Sequence, residues 1–152
     1  MKIIFICTKS ITFNTFLKSQ ADYFTKKGFK VEIACSDIEN LNLKFKKHRI
    51  NFPKKILDLF NVIIYFKVYK DIKNLIDKNR SSIYYLHTPV ASHFFRLFTF
   101  FDKLKLIYFV HGFRFTSKTN PIKSLFFKII EKILSFNSSV FITINKEDYQ
   151  YA

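Results

Sequence analysis

Three short stretches of this chain hold residue types that could bind or turn over a polar ligand. His111 follows five apolar residues and precedes Gly112. An imidazole is thereby placed where a buried strand opens into a turn, and the glycine lets a ligand approach the backbone. A neutral imidazole in that place can hydrogen-bond a sugar hydroxyl or a phosphate oxygen; the competing reading is a histidine that ties down its own loop. Arg114, just beyond Phe113, is either an anion clamp or a solvated surface cation. His87-Thr88-Pro89 is a second exit of the same kind. The free N–H groups of a following helix suit an anion or a hydroxyl, although Thr88 reads first as a helix cap. The third stretch, Thr8-Lys9-Ser10-Ile11-Thr12, is rich in hydroxyls, leads toward Asn14 and a helix, and could hold a phosphate.

Other chemistries are excluded by pattern. The first turn lacks the glycines of a dinucleotide fingerprint and is not a Walker loop, so neither a NAD nor an ATP site is expected. His48, His87, His93 and His111 show no metal-ligand spacing, and no HExxH or CxxC occurs. There is no Gly-x-Ser-x-Gly elbow. The 11 acidic residues contain no pair suited to glycoside hydrolysis.

The elements that must carry these residues alternate. Lys2 to Cys7 is an apolar run typical of a strand buried on both faces. Phe13, Phe16, Leu17, Ala21 and Phe24 recur at helical spacing, and Gly28 closes that helix. Phe29 to Cys35 reads as a second strand, making a strand–helix–strand unit with parallel neighbours. Asp37 to Lys47 is a surface helix or loop, and Arg49 to Phe52 a short third strand ended by Pro53. Ile56 to Lys78 is strand-like at Val62 to Phe66. Its length, with a stripe of Leu59, Val62, Ile63, Phe66, Tyr69, Ile72 and Ile76, predicts a helix. Ser82 to Leu86, Leu104 to Val110 and Val140 to Ile144 supply strands four to six. Pro89 opens one intervening helix and Asn120-Pro121 another, whose apolar stripe is Ile122, Leu125, Phe126, Ile129, Ile130 and Ile133, with Phe127 outside it. Asn145 and Asp148 have capping-box spacing for a last helix.

This alternation predicts one α/β domain, a Rossmann-like open parallel sheet of about six strands with helices on both faces. Ligands of such sheets bind at the carboxyl ends of the strands. That rule gathers Thr8 to Asn14, His87-Thr88, His111 to Phe115 and Thr143 to Glu147 onto one edge.

Composition bounds the partners. The chain has 152 residues, a formal charge of +15 and 49% hydrophobic residues. That is enough for a core and excludes disorder. The charge would attract anionic lipid, a phosphorylated ligand or nucleic acid. The basic residues are scattered, which weighs against nucleic acid, and codon bias toward Lys, Phe, Ile and Asn accounts for the same composition. His93 to Lys103 and Leu125 to Lys132 mix aromatic and basic residues, consistent with an anionic membrane surface, with a covering partner domain or with that same bias. Cys7 and Cys35 end apolar runs, the usual setting of buried thiols. No secretory signal or spanning run is present, so a cytoplasmic chain is expected, either free or peripheral on the inner membrane face.

Thr12-Phe-Asn-Thr-Phe-Leu17, Gly28-Phe-Lys-Val-Glu-Ile-Ala-Cys35, His87-Thr-Pro-Val-Ala-Ser92, His111-Gly-Phe113 and Ile142-Thr-Ile-Asn-Lys-Glu-Asp-Tyr149 occur in this order. Together they resemble the N-terminal domain of family 4 glycosyltransferases of GT-B architecture. The nearest members resemble bacterial enzymes that build capsule, O-antigen or exopolysaccharide units on a polyprenyl-diphosphate carrier. The resemblance implies that this domain binds the acceptor, that a C-terminal domain binds the nucleotide-sugar, and that transfer proceeds with retention and without a required metal or other cofactor. It implies His111 near the transferred sugar as the catalytic-site candidate. Thr8, Ser10 and Asn14 would face the donor diphosphate, and His87, Thr88, Gly112, Phe113 and Arg114 would line the cleft. Asn145 and Glu147 would lie in the stretch leading toward the interdomain crossing. Two departures stand out. Thr8-Lys9-Ser10 replaces the glycine-rich first turn of many members, and the donor domain lies outside these residues. The resemblance therefore implies an inactive isolated chain, truncated or paired with a separate donor-domain subunit. The alternative is a non-catalytic Rossmann-like binding module for a membrane surface, a partner subunit or nucleic acid.

Overall fold

The computed structural model describes residues 1–41, 44–53, 58, 61–113 and 120–152. Six strands form one sheet in the order β3-β2-β1-β4-β5-β6. They are β1 (Lys2–Ile6), β2 (Lys30–Cys35), β3 (Lys46–Arg49), β4 (Ile83–Leu86), β5 (Lys105–Val110) and β6 (Val140–Thr143). Every adjacent pair is parallel, so all carboxyl ends share one edge. The chain leaves β1 toward β2 and β3, then crosses back to place β4 on the other side of β1. The β1/β4 boundary is therefore the point where the strand order reverses, the usual binding crevice of open α/β sheets.

Helices cover both faces. One face carries a single long helical segment: α1 (Ser10–Thr12), a π-helical stretch (Phe13–Leu17) and α2 (Lys18–Lys26). Phe13, Leu17 and Ala21 of this segment pack on Ile3, Phe5, Val31 and Ile33, while Phe16 is exposed although the spacing grouped it with them. Gly28 ends the segment as expected, with a φ of 83° that only glycine adopts without strain. The other face carries α3 (Val62–Asp77), α4 (Pro89–Phe98) and α5 (Pro121–Ser135), over a core of Ile4, Ile6, Tyr84, Leu86, Leu106 and Tyr108. A short α6 (Lys146–Tyr151) follows β6.

Several local expectations are corrected. The third strand is the polar Lys46–Arg49 rather than 49–52. Ile50 and Phe52 fill the core just after it, so their hydrophobicity marked burial and not pairing. A 3-10 turn (Ile38–Asn40) stands within the ambiguous 37–47 stretch.

The helical reading of Val62 to Phe66 holds, with Asn61 capping α3 by accepting from Ile63 N at 3.0 Å. Its inward row, however, is Ile64, Tyr65, Val68, Ile72, Leu75 and Ile76. Val62, Ile63, Phe66 and Tyr69 face outward, and Leu59 lies outside the described residues. Asn120 caps α5 as expected, accepting from Ile122 N. That helix too is turned from its predicted orientation. It sets Phe127, Leu134 and the buried Glu131 inward, and exposes Ile122, Leu125, Phe126, Ile129 and Ile133.

The physical reason is a charge. Arg96 on α4 is fully buried, its guanidinium 4.2 Å over the Tyr108 ring and 2.8 Å from Glu131 Oε2. Glu131 also meets His93 Nε2 at 2.7 Å. A buried cation must be paired, so Glu131 sets the rotation of α5 and the apolar stripe turns outward. Burial opposes ionisation of Glu131, but the His93 hydrogen bond and the Arg96 charge outweigh it and hold the carboxyl below its ordinary range.

Candidate functional site

The carboxyl edge brings together most of the residues singled out by sequence. At the β1/β4 boundary Thr8 N donates to Thr88 Oγ1 at 3.1 Å, and the two threonine hydroxyls lie 2.7 Å apart. His87 N donates to Ile6 O at 2.7 Å, which extends the β1–β4 pairing by one residue. Thr88 is not the side-chain cap that its sequence context suggests. Its hydroxyl is spent on Thr8, and its backbone sits at φ 65°, a conformation that a β-branched residue adopts only under strain. Pro89 does occupy the first turn of α4 as expected.

The imidazole of His87 is completely buried. Its ring stacks on Phe5 at 5.6 Å and lies 4.3 Å from Tyr85 and 5.6 Å from Phe109. Burial, reinforced by His111, pushes its pKa down to about 3, so it is neutral at physiological pH. Its Nδ1 lies 3.1 Å from His111 Nε2, while its Nε2 has no partner among the described residues. An orphaned buried N–H is costlier than a bare lone pair. The proton is therefore assigned to His87 Nδ1, which donates to His111 Nε2. His111 then carries its own proton on Nδ1. Partial burial lowers its pKa as well, and protonating Nε2 would also force His87 to hold a proton against apolar rings. His111, exposed on the rim, is thus a neutral hydrogen-bond donor rather than a cation.

Gly112 follows with φ 135° and open space where a Cβ would project. Phe113 is buried, and its backbone N–H donates to Asp148 Oδ1 at 3.2 Å. Asp148 N in turn donates to Asn145 Oδ1 at 2.7 Å, the predicted capping interaction at the start of α6. The β5 and β6 exits are thereby joined. Sequence reading named Asp148 only as a cap and missed this bridge, because nothing in the local spacing marks a partner 35 residues away. Asn145 and Glu147 are exposed at the β6 exit. Arg114 lies outside the described residues.

The first turn is anchored from the β2 exit. Asp37 accepts from Ser10 N at 2.7 Å and from Ser10 Oγ at 2.8 Å. Burial works against the charged form of Asp37, but these two Ser10 bonds hold its pKa below the ordinary value. Ser10 is buried and committed to this contact, whereas Asn14 is exposed and reaches Asn40 O at 3.3 Å. A carboxylate therefore occupies the helix start that sequence reading reserved for a phosphate, and Thr8 and Lys9 remain at its rim. Cys7 and Cys35, at the ends of adjacent strands, are buried free thiols. Among the described residues no cluster of His, Cys, Asp or Glu could hold a metal ion.

A neutral imidazole, threonine hydroxyls and backbone at a strand-order reversal form a surface for hydroxyls and phosphate oxygens. The model of the family described as "Glycosyl transferase 4-like" matches residues 2–145. The chain belongs to this glycosyltransferase family. A relative from Bacillus subtilis (strain 168), named "Putative glycosyltransferase EpsD", is 32% identical over 152 residues, covering 97% of this chain and 39% of the relative. The crystal structure of Acinetobacter baumannii MurG superposes with a TM-score of 0.62 at 10% identity, covering 96% of this chain and 41% of that one. That likeness concerns the fold alone, and it gives this member of the family the Rossmann-like architecture of the GT-B type. The chain spans about two fifths of the length of each of these two proteins.

Proposed function

We infer that this family member is the acceptor-side half of a retaining glycosyltransferase. It moves a sugar from a nucleotide-sugar to a polyprenyl-diphosphate-linked glycan during assembly of a bacterial surface polysaccharide. The observation that carries this reading is the His87–His111 pair beside the Thr8–Thr88 contact at the β1/β4 reversal, in a chain of a glycosyltransferase family. In this reading His111 presents Nδ1–H to a hydroxyl of the transferred sugar and does not exchange protons with it. Gly112 leaves room for that sugar against the backbone. Glu147 and Asn145 face the donor-side half, which binds the nucleotide-sugar and supports the leaving diphosphate.

The test uses the full-length gene product with a panel of nucleotide-sugars and a polyprenyl-diphosphate-linked sugar. His111→Ala is expected to lower kcat about 100-fold or more, in the range for losing one positioned donor to a developing charge. An unchanged kcat removes His111 from the site. The 152-residue chain on its own is expected to transfer no sugar, because this reading places the donor's binding residues outside it. Robust transfer by that chain alone overturns the division of labour.

A further inference from the structure

The two cysteines of these 152 residues meet. β1 and β2 pair in parallel with Ile6 opposite Ala34, and Cys7 N donates to Ala34 O at 3.1 Å. The next rung therefore sets Cys7 opposite Cys35. Opposed residues of paired strands share a face, and both cysteines lie on the one that carries Phe5, Phe13 and Ile33. Neighbouring strands run about 4.8 Å apart, within the roughly 4.4–6.8 Å between Cα atoms that a disulfide accepts. The thiols are free and fully buried. A sulfur–sulfur bond can thus form at this rung while both strands stay in place.

The two thiols are chemically unequal. The single S–H of Cys7 has two acceptors, Lys9 O at 3.4 Å and the Cys35 sulfur. The hydrogen bond from Cys7 lowers the pKa of Cys35 against the opposing effect of burial, and a backbone N–H at Asp37 adds to it. The same contact, with burial, raises the pKa of Cys7. A thiolate is the species that attacks a peroxide, and a neighbouring thiol resolves the sulfenic acid that results. Cys35 is thereby the attacking sulfur and Cys7 the resolving one.

We propose that Cys7 and Cys35 form a reversible dithiol–disulfide modification site, oxidised by a hydroperoxide. The Cys35 thiolate attacks one peroxide oxygen and the O–O bond breaks. That oxygen stays on sulfur as a sulfenic acid, and the other leaves as an alcohol or water with the proton that Cys35 gave up. The Cys7 sulfur then attacks the Cys35 sulfur, the S–O bond breaks, and water departs with the Cys7 proton. The sulfurs lose two electrons and the peroxide takes both. Access is set by the first turn. The bonds from Ser10 to Asp37 join the same two strand exits just outside the pair, so entry of the oxidant requires that they open. The disulfide has no S–H, so Lys9 O loses that donor within the first turn of the carboxyl edge. The modification does not depend on the transferase reading; its effect on transfer does.

The experiment treats the full-length gene product with hydrogen peroxide, blocks remaining thiols by alkylation and maps peptides without reductant. A linked Cys7–Cys35 peptide is expected, and dithiothreitol should return both thiols. Cys7→Ala is expected to leave Cys35 as a sulfenic acid that dimedone labels, whereas Cys35→Ala should leave Cys7 unlabelled. Asp37→Ala, which frees Ser10, is expected to speed the linkage about tenfold or more, the factor for an opening made easier by at least 1.4 kcal/mol. The proposal is overturned by thiols that stay reduced in the native protein while the urea-unfolded chain oxidises. It is equally overturned by linkage only between two copies, or by Cys35 found solely as sulfinic or sulfonic acid. An unchanged rate in Asp37→Ala removes the first turn as the gate. Transfer is read separately: the linked protein should lose about fivefold in kcat/KM, the worth of one hydrogen bond, and recover with dithiothreitol. A linked protein of undiminished activity sinks that effect and leaves the modification site standing, and linkage in a protein that transfers no sugar sinks only the transferase reading.

Discussion

At the β1–β2–β4 part of the carboxyl edge the polar groups are consumed by one another. Asp37 holds both donors of Ser10, Thr8 holds Thr88, and His87 is sealed among aromatic rings. At the β5–β6 part, His111 and Glu147 are exposed, while Asn145 is held to Asp148 by both its side-chain atoms and the Asp148 bridge to Phe113 ties the two exits together. The same edge of one sheet thus has a preassembled half and an open half. Buried polar groups that satisfy one another give rigidity, and exposed ones remain free to meet a ligand. His111 joins the two: its Nε2 is bound to the sealed half, and its Nδ1 belongs to the open one.

The comparison breaks first at Asp37. Asp37→Ala removes a charged acceptor from Ser10 N and Oγ and leaves a buried hydroxyl unpaired. A loss of about 2–3 kcal/mol is expected in urea unfolding; a loss below about 0.5 kcal/mol would mean that the sealed half is not held by these bonds.

His87 gives the next effect. Its folded pKa is pushed down to about 3 from an ordinary 6.5, so the unfolded chain takes up a proton that the folded chain refuses. Its contribution to stability is complete above about pH 6.5 and is lost as pH falls toward 3, at about 1.4 kcal/mol per pH unit. The chain should therefore weaken by about 2 kcal/mol between pH 6.5 and pH 5. The carboxyls of Glu131 and Asp37, held below their ordinary values, lose their contribution only at lower pH. His87→Phe keeps the ring packing and should flatten most of that slope. An undiminished slope would show that His87 is hydrated and that His111 is not fixed through it. The smallest expected effect on folding lies in the open half. Glu147→Gln should alter stability by less than about 0.5 kcal/mol, yet lower transfer by the full-length protein at least tenfold. Unchanged transfer would leave the open half merely solvated.

The alternation of strands and helices, the caps at Asn120 and Asn145, and the gathering of His87 and His111 on one edge were all legible in the sequence, because each is written in local spacing. What was not legible depended on partners far along the chain. The rotation of α5 follows from Glu131 meeting Arg96, 35 residues away. The true role of Thr88 follows from Thr8, 80 residues away. Apolar periodicity shows that a helix has a greasy side, but a single buried charge decides which way that side points.

The two outer strands leave the sheet with unlike borders. On β3, Lys46, Lys47, His48 and Arg49 line the free edge, and His48 is anchored to the buried Glu32 at 2.6 Å. A strand so charged repels the backbone of another copy that tries to add to it. The opposite border, Val140–Thr143, carries no formal charge. Growth of misassembled material during folding should therefore begin from β6, and a lysine at Val140, which is 47% exposed, would be the economical place to make this chain more soluble.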